Sequence, residues 1–207
     1  MPDAEAEQAL AAEVGGPVAG LDEAGRGPWA GPVVAAAAVV LDHNSLPEGL
    51  DDSKRLTPAK RQHLRHALEG VVSIGLGVVE AAEIDRLGIV AATDAAMLKA
   101  LAALPAPPKA ALVDGNRLPR GLALPGRALV GGDGRALVIA AASIAAKVAR
   151  DALMAELGRL YPGYGFERHM GYGTPQHRAA LARLGVAPPH RRSFRPIRAA
   201  LEAEGGA

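Results

Sequence analysis

The chain has 207 residues, 49% of them hydrophobic, no cysteine and a formal charge of +1. That length suits one domain with at most an appendage, and a domain of that size buries roughly 70% of its unfolded surface without staples. Lack of cysteine excludes a disulfide framework, a thiolate zinc site and a cysteine nucleophile.

The chain opens with an Ala/Glu-rich segment, 1–16, expected as a frayed helix or flexible tail. Val18–Leu21 is a short apolar run that ends in Asp22-Glu23, and Gly25-Arg26-Gly27-Pro28 after it is turn chemistry. Val33–Leu41 is apolar on both faces and reads as a buried strand. The run from Pro32 to Leu41 is about half the roughly 20 residues of a membrane span, and the acidic N-terminus is the reverse of a secretory one. A cytoplasmic protein without membrane contact is expected.

A polar loop containing Asp51-Asp52-Ser53-Lys54 leads to a helix opened by Thr57 as cap and Pro58 at its first position. Val71–Val79 reads as a strand, and Ala81–Leu104 as helix broken at Gly88. Ala110–Val113 and Arg127–Val130 are short strands that run into Asp114 and Asp133. A long helix, Leu137–Leu157, starts with the small residues Ala140–Ala142, which permit close approach to a sheet. A Gly- and aromatic-rich loop (Tyr161–Thr174), a helix from Pro175 to Leu184 and a last helix from Pro196 to Glu204 complete the chain. Strands alternating with helices predict an α/β domain over residues 17–158, with residues 159–207 as a basic helical extension packed on it.

The charge of +1 is a cancellation. Residues 1–133 hold 12 Lys and Arg against 17 Asp and Glu, whereas residues 134–207 hold 11 against 5. Residues 160–198 carry seven arginines and one acid, Glu167. Such asymmetry suits either a solvated helical surface or a face for a polyanion. Five of the six aromatics lie in the basic part, and the sixth is Trp29. The core is therefore expected to be aliphatic, leaving the rings for a surface that grips nucleic acid.

The most informative pattern is positional. Three apolar strands each run into carboxylates flanked by glycine: Asp22-Glu23, Asp114 and Asp133. Each acid taken singly also fits a turn or a helix cap. In open α/β sheets, however, the carboxyl ends of the strands form the ligand crevice. If the strands are parallel neighbours the four acids converge, and they cannot all stay ionised there without a compensating cation. Oxygen-only ligands favour Mg²⁺ or Mn²⁺ and two-metal phosphodiester chemistry.

Gly25-Arg26-Gly27 beside the first acids lets the backbone approach a ligand closely. Ser143 and Lys147 share a helical face and suit phosphate contact, although Lys147 equally suits an ion pair with Asp151 at i+4. His169 and His177 are candidate bases or ligands, or structural side chains.

The ordered set is specific. Gly20-Leu21-Asp22-Glu23-Ala24-Gly25-Arg26-Gly27-Pro28-Trp29-Ala30-Gly31-Pro32-Val33 resembles the N-terminal signature of ribonuclease HII. Asp52-Ser53-Lys54, Val113-Asp114-Gly115, Gly132-Asp133, Ala140–Ile144 with Lys147, Arg150 and Asp151, the Tyr161–His177 block and His190–Phe194 match in order. The resemblance spans about residues 17–198 and implies an RNase H-like fold: a mixed five-stranded sheet flanked by helices, with a helical C-terminal extension. It implies Mg²⁺- or Mn²⁺-dependent cleavage of the RNA strand of RNA–DNA hybrids, and incision 5′ of single ribonucleotides in duplex DNA, by a monomer. Asp22, Glu23, Asp114 and Asp133 would be the catalytic, metal-binding acids. Gly25, Arg26 and Gly27 would read the ribose 2′-OH, the group that separates RNA from DNA. Tyr172 would stack at the junction, and Lys54, Ser143 and Lys147 are further candidate substrate contacts. Two positions depart from the family pattern: Gly131 and Met170 stand where lysine is frequent. A shared-fold binder without catalysis and a DNA-junction resolvase are the alternatives; the intact acids speak against the first and the ribose-reading loop against the second. The related ribonuclease HIII carries a long N-terminal domain, and about 16 residues precede the first strand here.

Overall fold

The computed structural model describes residues 2–205. Strand β1 (Val18–Ala24) pairs antiparallel with β2 (Val33–Val40), which pairs antiparallel with β3 (Val72–Val79). On its other edge β1 pairs parallel with β4 (Ala110–Asp114), and β4 parallel with β5 (Gly126–Leu129). The order is β3-β2-β1-β4-β5, the mixed five-stranded sheet that the sequence implies. The last strand lies one residue earlier than expected, leaving Val130 exposed in the turn beyond it.

Two apolar layers sandwich the sheet. On one face lies α5 (Leu137–Leu160), with α1 (Glu5–Val14) and α2 (Pro58–Ala67) beside it. On the other lies α4 (Ile89–Ala102), preceded by the short α3 (Ala81–Leu87). The period of two along β1 sends Val18, Gly20 and Asp22 towards α5, and Ala19 and Leu21 towards α4. Gly20 has to be glycine, because a Cβ there would run into the Val138 carbonyl group of α5. The alanines of β2 and α5 serve the same close approach, so the core is aliphatic as expected.

Local chemistry sets the helix ends as predicted. Thr57 Oγ1 accepts from Lys60 N at 3.3 Å with Pro58 at the first position of α2. Gly88, at φ +78°, separates α3 from α4. The same Thr-Pro device opens α7 (Pro175–Leu184), which follows the single-turn α6 (Phe166–His169); α8 (Arg195–Gly205) closes the described chain.

Two expectations are corrected. The expected segment 1–16, of which residues 2–16 are described, is helical but neither frayed nor free there: α1 buries Leu10 against the α5 side of the sheet, supported by Ala6, Ala11 and Val14. Ahead of it Asp3 N donates to Arg135 O at 3.0 Å, and Asp3 O accepts from Leu137 N at 2.9 Å. The start of α5, which has no side-chain cap, is thus capped by the backbone at Asp3. Nor are the aromatics all at a surface. Tyr164 and Phe166 are buried and their rings stack in parallel, with centroids 5.2 Å apart, in a separate small core with Ala30, Met154, Ala180 and Ala187. This C-terminal part has no sheet of its own to pack on, and large rings supply the buried area that alanines cannot.

Candidate active site

Strand parity builds the site. Asp22 projects from β1 on the α5 side and is almost fully buried. In the parallel register Leu21 stands beside Val113, so Asp22 and the Asp114 that ends β4 meet at the same end of the sheet. Beyond β5, Gly131 at φ +64° turns the chain into a single turn of 3₁₀-helix that carries Asp133. Asp114 fixes that turn by accepting from Gly132 N at 2.7 Å. One carboxylate oxygen each from Asp22, Asp114 and Asp133 lie within 4.8 Å of one another.

Glu23 is the exception among the four predicted acids. It stands on the opposite side of β1 and pairs with Arg26 at 3.2 Å, outside the cluster of three.

The cluster is electrostatically strained. Burial, and then the neighbouring Glu23, push the Asp22 carboxyl well above the usual carboxylate range. Burial also raises Glu23, against the pull of Arg26, and burial with the adjacent Asp114 raises Asp133. Lys54 brings an ammonium to these acids, its Nζ lying 3.3 Å from Asp133 Oδ2 and 3.7 Å from Asp52 Oδ1. Burial favours its neutral amine, but Asp22, Asp133 and Asp52 outweigh that and raise it. A compact all-oxygen set with too much negative charge for its burial fits a hard divalent cation.

A cleft of about 230 Å³ brings most of the predicted residues together: Asp22, Glu23, Gly25, Arg26, Gly27, Lys54, Asp114, Lys147 and Tyr172 all line it. Tyr172 is 50% exposed, with its ring edge beside Gly27. Lys147 pairs with Asp151 at 2.5 Å, the ion pair expected at i+4, and it also lines the cleft. Ser143 is corrected: it is buried behind Asp22, hydrogen-bonded to it and to Ser53 Oγ at 2.9 Å.

Sequence reading missed what holds the glycine loop. Arg191, fully buried, donates from Nη2 to Gly25 O at 2.6 Å, from Nη1 to Arg26 O at 3.0 Å and from Nε to Gly31 O at 2.9 Å. Arg150, also buried, donates to the carbonyl oxygens of Pro32, Ala30 and Met170. Gly25 sits at φ +94°, and a Cβ there would strike the Arg150 side chain. Two guanidinium groups therefore set the path of residues 25–32 through backbone oxygens. Burial presses both towards the neutral form, and the carbonyl dipoles hold the charge. The signal was present as Arg191 within the basic run and Arg150 on the long helix, where arginine reads as surface charge.

The histidines are structural. His169 bonds Tyr164 O through Nε2 and accepts from Gly171 N through Nδ1. His177 Nδ1 donates to Tyr172 O at 2.9 Å, so in neutral His177 Nε2 accepts from His190 Nε2, 3.0 Å away. His190 Nδ1 then accepts from Ala187 N at 3.0 Å, a consistent set of tautomers. Burial works against the charged form of both rings, lowering His177 and pushing His190 down to about 4.

A mixed five-stranded sheet, with acids gathered at the carboxyl ends of its parallel strands, defines an RNase H-like nuclease. Residues 19–197 match the family described as ribonuclease HII. Ribonuclease HII of Rhodospirillum rubrum is 56% identical over 206 residues, covering 97% of this chain and 92% of that one. Ribonuclease HII of Jannaschia sp. is 54% identical over 196 residues, covering 95% and 96%. Among solved structures, ribonuclease H2 from Pyrococcus horikoshii OT3 is similar with a TM-score of 0.78 at 28% identity, over 92% of this chain and 100% of that one. The chain belongs to the ribonuclease HII family and is a ribonuclease H, an endonuclease.

Proposed function

We propose that the chain cuts the RNA strand of RNA–DNA hybrids and incises 5′ of single ribonucleotides in duplex DNA, by two-metal hydrolysis that leaves a 5′-phosphate. The observation that carries this reading is the cluster of Asp22, Asp114 and Asp133, of which Asp22 and Asp114 line one cleft with the pinned Gly25-Arg26-Gly27 loop and Tyr172. Asp22, Asp114 and Asp133, with Glu23 adjacent, would hold Mg²⁺ or Mn²⁺. When bound, the ions would supply a nucleophile from water and neutralise charge on the leaving oxygen.

The chain's own residues do the selecting. The backbone of residues 25–27 approaches the ribose without a side chain in the way, and Arg191 keeps it from relaxing. A 2′-OH fits such a fixed polar backbone, and its absence in DNA leaves backbone groups unmet. Tyr172 offers an exposed ring on which a sugar or base stacks. Lys54 is already held by Asp133, and so stands where a phosphate next to the acids would meet an ammonium.

The test is incubation of the protein with a duplex containing one ribonucleotide, with an RNA–DNA hybrid and with an all-DNA duplex, each with Mg²⁺ or Mn²⁺. Cuts in the first two and none in the third are expected. A folded protein that cuts none of them with either ion refutes the reading, and equal cutting of the all-DNA duplex refutes ribose selection.

A further inference from the structure

On the α4 side of β1, adjoining the acid cluster at Asp114, lies a second, smaller cleft of about 120 Å³, bordered by Glu23, Arg26, Asp94, Asp114, Asn116 and Arg117. We propose that Arg117, aimed by the buried Asp94 of α4, binds a backbone phosphate of the nucleic acid beside the active site. The inference rests on the proposed function for its substrate, and it adds a contact residue and a positioning residue to that site.

The geometry is that of an aimed guanidinium. Arg117 lies three residues after Asp114, in the loop that leaves β4. Its Nη2 donates to Asp94 Oδ1 at 2.6 Å and its Nη1 to Asp94 Oδ2 at 3.2 Å, a two-pronged pair. Only a long 3.4 Å bond from Nη1 to Leu118 O adds to these. The Nε–H and the outer N–H of Nη2, which share one edge of the fork, make no hydrogen bond among the described residues. That free edge is the one that takes two oxygens of a phosphate.

The burial of the pair is lopsided. The Asp94 side chain is 6% exposed and that of Arg117 is 40% exposed. The anion is therefore at the back and the cation at the mouth, giving a fixed dipole with its positive end on the cleft. If stability alone were at stake, an apolar side chain at position 94 would serve α4 at least as well, because a buried ion pair gains little over good packing. Asp94 makes sense if Arg117 has to be held in one orientation. The neighbouring chemistry supplies the reason. Arg117 and Arg26 bracket Glu23 and Asp114, so a polyanion entering beside these acids meets a guanidinium on either hand. Phosphate contacts of this kind position a duplex without reading its sequence.

The test is the salt dependence of binding, measured in an Asp22→Asn background with an RNA–DNA hybrid oligonucleotide. Each phosphate contact contributes about 0.9 to the slope of log Kd against log salt concentration. Asp94→Asn/Arg117→Gln, which keeps a neutral hydrogen-bonded pair, is expected to lower that slope by about one unit and to weaken binding roughly tenfold at low salt. Asp94→Asn alone keeps the charge and so keeps the slope, while Arg117→Lys restores the slope with part of the affinity. Asp94→Leu/Arg117→Met, a packed apolar pair, repeats the charge removal should the polar pair fold poorly. With Asp22 intact, the charge-removing pairs are expected to raise KM with little change in kcat. If both double variants keep the parent slope and lose only melting temperature, Arg117 is a structural tie and the proposal is overturned. Cutting by the parent chain reports separately on the proposed function, and the binding slope is read whether or not cutting occurs.

Discussion

Arg191 donates to the carbonyl oxygen of Gly25 at 2.6 Å, across 166 positions of sequence. Through that bond and its partners at Arg26 and Gly31, the C-terminal part of the chain sets the shape of the loop next to the acid cluster. Arg191→Lys keeps a charge but cannot span three carbonyl groups. It is expected to cost about 2–4 kcal/mol of stability and to lower kcat/KM on single-ribonucleotide duplexes at least roughly tenfold. Thermal melts and steady-state kinetics check both; an unchanged kcat/KM removes Arg191 from the loop's support.

Asp22→Asn separates stability from function. The buried carboxyl is costly, and asparagine keeps an oxygen for the Glu23 N bond while removing the charge. The variant is expected to lose cleavage by roughly a thousandfold or more, to retain hybrid binding and, without metal, to melt higher than the parent. Wild-type-like turnover in this variant removes Asp22 from catalysis.

The raised carboxyls at Asp22, Glu23 and Asp133 give the enzyme a signed pH response. Because the folded state holds these protons more tightly than the unfolded state, metal-free stability falls as pH rises through the folded values. Ion binding needs the deprotonated forms. The gain in melting temperature on adding Mg²⁺ or Mn²⁺ is therefore expected to be larger at pH 8 than at pH 5. Cleavage is expected to decline with acid before the ordinary carboxylate range near roughly pH 4 is reached. A gain independent of pH contradicts this.

The His177–His190 pair predicts the opposite slope. His190 titrates at about 4 in the fold, below its unfolded value of 6.5, so its contribution is intact above pH 6.5 and is lost as pH falls towards 4. The difference in melting temperature between the parent and His190→Asn is expected to shrink across that window. Parallel melting curves for the two proteins discount the pair as the acid-labile element.

Tyr172→Ala tests stacking. The ring is half exposed, so the substitution leaves the fold intact, and single-ribonucleotide incision is expected to drop about tenfold with Tyr172→Phe near the parent. Equal rates for all three proteins end the stacking role.

Much of the site was legible because it follows from strand ends and parity. Asp22, Asp114 and Asp133 each follow an apolar run, and parallel pairing of three such runs puts their ends together. The same parity, applied to adjacent residues 22 and 23, forecasts that Glu23 faces away, which a count of acids overlooks. What escaped reading depends on distant partners. Arg150 and Arg191 look like surface charge until the carbonyl groups of residues 25–32 are placed around them. Tyr164 and Phe166 looked like a binding face because nothing local says that the C-terminal segment needs a core of its own. The α1 stripe of Ala6, Leu10, Ala11 and Val14 was readable at helical spacing but thin, with one large side chain.

The Asp3 bridge bears on where this enzyme can be shortened or tethered. Its backbone closes the open first turn of the long helix, directly after the turn that presents Asp133. Deleting residues 1–16 as a dispensable leader would leave that turn to fray and strip Leu10 from the sheet. An affinity handle or fusion partner joined close to Asp3 would pull on the same spot.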